Sequence, residues 1–121
     1  MLLPDGRLRR TARGGLRHRD RGPGGAHGGP EILTELADVL AERRRTAPAG
    51  SYTAGLFADG LARLNEKVME EAAEVTRAAR KETRDRLVEE AADLWFHSLA
   101  LLVYQGISPT EVFAALARRR R

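Results

Sequence analysis

Two groups of carboxylates in the second half of the chain are the residues best suited to chemistry. They are Glu70, Glu71 and Glu74, and then Glu89, Glu90 and Asp93. Each group contains two acids three residues apart, a spacing that puts both side chains on one face of a helix. Carboxylate oxygens are hard ligands that suit Mg²⁺ or Mn²⁺. The chain has no Cys, which excludes a thiolate metal site.

The first group lies on the flank of an apolar helical stripe. At about 100° per residue, Glu71 borders this stripe, and Glu70 and Glu74 lie further from it. Acids three and four residues apart repel one another unless cations neutralise them. Lys67 and Arg63 supply part of that charge. A solvated helix face explains this group, taken alone, as well as a metal site does.

The second group lies on a helix that is apolar around most of its circumference and is therefore expected to be central and largely buried. Buried carboxylates are costly unless they are paired, hydrogen-bonded or bound to a metal. The pairs Glu71/Glu74 and Glu90/Asp93 together offer four oxygen ligands, so the spacing favours a metal site over buried salt bridges with Arg and Lys. His97, one turn after Asp93, is expected beside the ligands rather than among them.

The elements that position these groups are all predicted to be helices, because no strand-like alternation occurs. The periodicity predicts four helices, at about 31–45, 53–80, 83–104 and from 109 onward. Gly106 is expected to end the third helix. Ser108, Pro109 and Glu111 predict a capping box with Pro at the first helical position. Since no Gly or Pro separates the second and third helices, one long helix is an alternative.

The charge is unevenly distributed, and this limits the choice of partner. The net charge is +4, but residues 31–117 contain ten basic and fifteen acidic residues, so the excess of Arg lies at the two ends. Residues 1–30 hold eight Gly and seven Arg and are predicted to be a disordered tail. A basic arm for nucleic acid is the alternative, although no aromatic residues interleave with the Arg residues.

The composition also bears on compartment and domain organisation. No apolar run approaches the ~20 residues that a membrane span needs. The absence of Cys fits a reducing compartment, so we expect a cytoplasmic protein. The predicted organisation is a tail at 1–30, one all-α domain at 31–118 and a short basic tail at 119–121.

Residues 31–118 resemble the phosphoribosyl-ATP pyrophosphatase family, most closely over 51–113. The resemblance rests on the motifs Ser-Tyr-Thr-Ala at 51–54, Lys-Val-Met-Glu-Glu-Ala-Ala-Glu-Val at 67–75 and Val-Glu-Glu-Ala-Ala-Asp-Leu-Trp-Phe-His at 88–97. The acidic pattern alone indicates only the wider superfamily that includes MazG-like pyrophosphohydrolases. The family usually has Gly where Met69 stands and Leu-Tyr where Trp95 and Phe96 stand, and these changes lie beside the acidic positions.

The resemblance implies hydrolysis of the α–β phosphoanhydride of phosphoribosyl-ATP, in the second step of histidine biosynthesis. It implies a MazG-like helical bundle of about four helices per chain, completed by homodimerisation. Either a carboxylate or a metal-bound hydroxide would activate the attacking water. The implied roles are as follows: Glu71, Glu74, Glu90 and Asp93 hold Mg²⁺ or Mn²⁺, Glu70 activates water, and Lys67, Arg63, Ser51, Tyr52 and His97 serve the substrate.

Three other functions remain open at this point. One is a MazG-like house-cleaning enzyme that acts on ordinary or damaged nucleoside triphosphates. Another is a nucleic-acid-binding module that uses the Arg-rich ends, and the third is a helical dimerisation module without activity. For the enzyme, an acidic site can accept a polyphosphate only through bridging divalent cations and nearby bases, and the carboxylates are arranged to hold such cations.

Overall fold

The computed structural model describes residues 28–120, which form five helices without a strand in that range. The helices are α1 (Glu31–Thr46), α2 (Tyr52–Asp59), α3 (Leu61–Lys81), α4 (Arg84–Tyr104) and α5 (Pro109–Arg118). The predicted all-α class is confirmed. The predicted disordered tail lies outside the described residues except for 28–30.

Helices α3 and α4 form the hairpin that carries the two acidic groups. The alternative of one long helix is wrong, because the backbone is extended at Glu82 and Thr83 between them. Thr83 begins α4 as its N-cap, and its hydroxyl oxygen accepts a hydrogen bond from the backbone N–H of Arg86 at 3.2 Å. Such a short connection returns the chain antiparallel, so the two acidic groups face each other.

The predicted helix over 53–80 is interrupted at Gly60, which separates α2 from α3. Gly60 has φ +90° and ψ −171°, a conformation that is nearly exclusive to Gly. The periodicity did not reveal this break because the apolar pattern runs across it. Ser51 begins α2, and its Oγ accepts a hydrogen bond from the Ala54 N–H at 3.1 Å.

The end of α4 follows the prediction from the sequence. Gly106 has φ +76°, and its N–H donates to the Val103 carbonyl, while the N–H of Ile107 donates to the Leu102 carbonyl. These are the two bonds of a Schellman ending. Ser108 caps α5, but its Oγ accepts from the N–H of Thr110, one residue earlier than a capping box requires.

The core joins the first four helices. It includes Leu40 of α1, Leu56 and Phe57 of α2, Leu64 of α3, and Phe96 and Leu99 of α4. Arg44 fastens α1 to the end of α4. Its Nη1 donates to the carbonyls of Val103 and Tyr104 at 3.2 and 2.8 Å, and its guanidinium lies 4.5 Å from the centre of the Tyr104 ring.

The expectation that α4 is buried around most of its circumference is only partly met. Val88 is 59 % exposed and Trp95 is 60 % exposed in the single chain. The other helices cover one side of α4, and the side that carries Val88 and Trp95 faces solvent. Among the described residues no single helix is long and apolar enough to cross a membrane. Helices α4 and α5 taken together have the length and composition of a membrane span, but the chain bends by 111° between them.

Candidate metal centre

The α3–α4 hairpin brings three predicted ligands into one buried cluster. Glu71 lies on α3, and Glu90 and Asp93 lie one turn apart on α4. At most 1 % of each residue is exposed, and one carboxylate oxygen from each lies within 4.8 Å of the others. The prediction that two helices present carboxylates into a shared space therefore matches this geometry for three of the four acids named.

Two cationic side chains contact the three-carboxylate cluster. Lys67 is buried, and its Nζ lies 3.7 Å from Oε2 of Glu71 and 3.3 Å from Oε1 of Glu70. Arg86 Nη2 lies 3.1 Å from Oε2 of Glu90. The alternative of buried salt bridges thus describes part of the site. Lys67 also contacts Glu70, and Arg86 also contacts Glu82, so each of these cations is shared with an acid outside the cluster.

The chemistry of the donor set fits a hard divalent cation. All three cluster residues offer carboxylate oxygens, the ligands that Mg²⁺ and Mn²⁺ prefer. Their convergence from two packed helices holds the oxygens in place without a mobile loop. Burial strengthens the attraction between the carboxylates and a bound cation, because fewer water molecules compete with it. The residues present therefore suit the metal that the sequence predicts.

Glu74 and Glu70 lie outside the three-carboxylate cluster. Glu74 is partly exposed, and its Oε2 lies 3.2 Å from Nη2 of Arg77. Glu70 is about half exposed and lies beside Lys67. Glu74 would have to leave Arg77 to become a fourth ligand.

The buried His97 and the half-buried Tyr52 form a hydrogen-bonded pair next to the cluster. The Nδ1 of His97 lies 3.0 Å from the backbone oxygen of Asp93, which can only accept a hydrogen bond, so Nδ1 carries a proton. In a neutral ring Nε2 is then an acceptor, and the Tyr52 hydroxyl donates to it at 3.1 Å. His97 is completely buried, as expected for a residue beside the ligands.

The other two predicted substrate residues lie at the edge of this region. Arg63 Nη1 donates to Oε1 of Glu66 at 2.7 Å, and this hydrogen bond raises the pKa of the Arg63 guanidinium. Ser51 uses its Oγ as the N-cap of α2. In these positions Arg63 is a charged side chain near the surface, and Ser51 has an evident structural role.

Arg86 is the cationic neighbour that sequence reasoning missed. A signal was present, because Arg86 precedes Glu90 by four residues, the spacing of a helical ion pair. The same spacing relates Glu82 to Arg86, whose Nε donates to Oε1 of Glu82 at 3.1 Å. The sequence did not show which of these two acids Arg86 contacts, and in the structure it contacts both.

Comparison of the chain with a family model and with known proteins identifies the same family each time. Residues 33–120 match the family described as phosphoribosyl-ATP pyrophosphohydrolase. The chain is 46 % identical over 90 residues to the phosphoribosyl-ATP pyrophosphatase of Chromobacterium violaceum, covering 74 % of this chain and 83 % of that protein. It is 46 % identical over 91 residues to the protein of the same name from Metallosphaera sedula, covering 75 % and 98 %.

Proposed function

Because this chain belongs to the phosphoribosyl-ATP pyrophosphohydrolase family, we propose that it hydrolyses phosphoribosyl-ATP to phosphoribosyl-AMP and pyrophosphate. The bond broken is the α–β phosphoanhydride, and the reaction is the second step of histidine biosynthesis. The observation that carries this proposal is the buried cluster of Glu71, Glu90 and Asp93 within a chain of this family.

The proposed cofactor is Mg²⁺, with Mn²⁺ as a substitute. Glu71, Glu90 and Asp93 would hold it, and Glu74 would be a fourth ligand after leaving Arg77. When bound, the cation neutralises charge on the phosphates and on the leaving pyrophosphate. The proposal is supported by the convergence of three buried carboxylates from two packed helices.

The surrounding side chains have separate proposed tasks. Lys67 lies between Glu70 and Glu71, where its ammonium would hold Glu71 in place and contact an incoming phosphate. Arg63 would bind phosphate from the edge of the site. Glu70 would accept the proton of the attacking water, because it is exposed enough to pass that proton on.

Tyr52, His97 and Ser51 are proposed to shape the substrate side of the site. The hydrogen bond between Tyr52 and His97 fixes the start of α2 against α4, one turn from Asp93. Ser51 caps α2 and so orients Tyr52. Substrate contacts made by these residues would then depend on a rigid helix start rather than on a flexible loop.

The proposed assembly is a cytoplasmic homodimer. An apolar groove of about 370 Å³ lies between α1, α4 and α5 and is lined by residues that include Leu33, Trp95, Val112 and Leu116. Trp95 and Leu116 are more than half exposed in the single chain. Exposed apolar patches of this kind are typical of protein interfaces, and a second copy of the chain is the proposed occupant.

A substrate panel tests the proposed activity. Pyrophosphate release is measured with Mg²⁺ for phosphoribosyl-ATP and for ordinary and oxidised nucleoside triphosphates at equal concentration. We expect phosphoribosyl-ATP to have the highest kcat/KM. Faster turnover of any other triphosphate would instead assign the chain to the house-cleaning enzymes. Activity should fall when EDTA is present and return with added Mg²⁺.

A further inference from the structure

Arg86 joins the buried cluster to the protein surface. Its Nη2 contacts the completely buried carboxylate of Glu90 at 3.1 Å, and its Nε contacts the partly exposed carboxylate of Glu82 at 3.1 Å. The Arg86 side chain itself is 40 % exposed. One guanidinium thus has a partner inside the cluster and a second partner outside it.

The two cationic neighbours of the cluster differ in their freedom to move. Lys67 and Glu71 are both buried, so the Lys67 ammonium has no route to solvent unless the surrounding side chains move. Arg86 can rotate towards solvent while keeping its contact with Glu82. A guanidinium on Oε2 of Glu90 and a cation ligated by the same carboxylate would lie close together, and two positive charges at such a distance repel each other.

We infer that Arg86 is a displaceable internal counter-ion that competes with the divalent cation for Glu90, and that Glu82 holds Arg86 when it is displaced. This inference rests on the proposed metal site. It makes Arg86 a positioning residue that sets the affinity for the cation, and it makes Glu82, which lies outside the cluster, a determinant of the same affinity.

A calorimetric titration of the full chain with Mn²⁺ alone tests the inference without substrate, because it measures the dissociation constant of the cation. Arg86→Met removes the competitor, and we expect about fivefold tighter binding, the upper end for an ion pair with one exposed partner. Glu82→Gln removes the alternative partner of Arg86, and we expect weaker binding. Arg45→Met, which breaks an exposed ion pair with Glu42 on α1, is the matched control and should not change the affinity.

The double variant Arg86→Met with Glu82→Gln separates displacement from a general effect of charge. If Glu82 acts through Arg86, Glu82→Gln has no further effect once Arg86 is gone. A long-range field would instead lower the affinity equally in both backgrounds, and that result would overturn the inference. Equal or weaker binding by the folded Arg86→Met variant would also overturn it. Failure of the wild-type chain to bind Mn²⁺ would overturn the metal site itself.

Discussion

At the residue scale, Glu71 and Glu74 offer a direct comparison, because they lie three residues apart on α3 in different surroundings. Glu71 is buried in the three-carboxylate cluster, whereas Glu74 is partly exposed beside Arg77. We expect Glu71→Gln to reduce pyrophosphate release by about 100-fold or more and Glu74→Gln by only about tenfold, because Glu74 becomes a ligand only after it leaves Arg77. Steady-state kinetics and Mn²⁺ titration check this.

Equal losses in the two variants would show that Glu74 holds the cation as firmly as Glu71 does. Circular dichroism should show both variants folded. Glu71→Gln removes one of three like charges, which stabilises the cluster, and leaves the buried Lys67 beside a neutral amide, which destabilises it. The free energy of unfolding of this variant therefore measures the balance of the two effects. A stable Glu71→Gln variant with full activity would show that Glu71 is not a metal ligand.

A second prediction at this scale concerns Tyr52, whose hydroxyl donates to the buried Nε2 of His97. Tyr52→Phe leaves that nitrogen without this donor, and we expect the free energy of unfolding to fall by about 1–2 kcal/mol in urea denaturation. If Tyr52 acts by fixing the helix start, KM should change little. Unchanged stability with a raised KM would show that the hydroxyl serves the substrate directly.

The spacing of the acids was enough to predict the acidic pair on α4 but not which acid of α3 meets it. Pairs at i and i+3 lie on one helix face whatever the tertiary fold, so Glu90 and Asp93 had to be neighbours, and the apolar surroundings indicated their burial. The sequence could not separate Glu71 from Glu74 in the same way. That distinction depends on how far α3 is rotated against α4, which is a property of their packing.

At the scale of elements, Gly60 decides where α2 ends and α3 begins. A Cβ at Gly60 would meet only Tyr104 Oη within 4 Å, at 3.6 Å, so space is available. The cost of Gly60→Ala comes from its φ of +90° instead, and we expect a loss of about 1–3 kcal/mol in the free energy of unfolding. Thermal or urea denaturation measures the loss.

Gly55 provides the matched control for this prediction. It lies within α2, and a Cβ there would meet nothing within 4 Å. Gly55→Ala should therefore stabilise the protein by about 0.4–1 kcal/mol, because Ala loses less conformational entropy on folding. Destabilisation of similar size in both variants would show that the conformation at Gly60 is not the cause.

The sequence predicted a helix boundary where a capping residue marks it. It did not predict a boundary that is marked only by an unusual backbone conformation. Gly106 ends α4 and Ser108 caps α5, as their residue types predict, although Ser108 Oγ accepts from the N–H of Thr110 and not from the residue that a capping box requires. Gly60 interrupts a periodic pattern, and one Gly in such a pattern is tolerated in many helices at a cost of ~1 kcal/mol.

At the scale of the whole molecule, the groove between α1, α4 and α5 determines the predicted assembly. Trp95 lines this groove and is 60 % exposed in the single chain, so a second copy would bury a large aromatic surface. Trp95→Glu would place an unpaired charge in that contact, which is costly to bury. We expect a dimer for the wild type and a monomer for Trp95→Glu by sedimentation velocity.

Ala41→Glu on the exposed surface of α1 is the control, since Ala41 does not line the groove, and it should remain dimeric. A monomeric wild type would contradict the homodimer, and a dimeric Trp95→Glu variant would place its interface elsewhere. Because Glu71, Glu90 and Asp93 all come from one chain, the monomer should still bind Mn²⁺. Loss of activity with retained Mn²⁺ binding would then show that dimerisation completes the substrate site rather than the metal site.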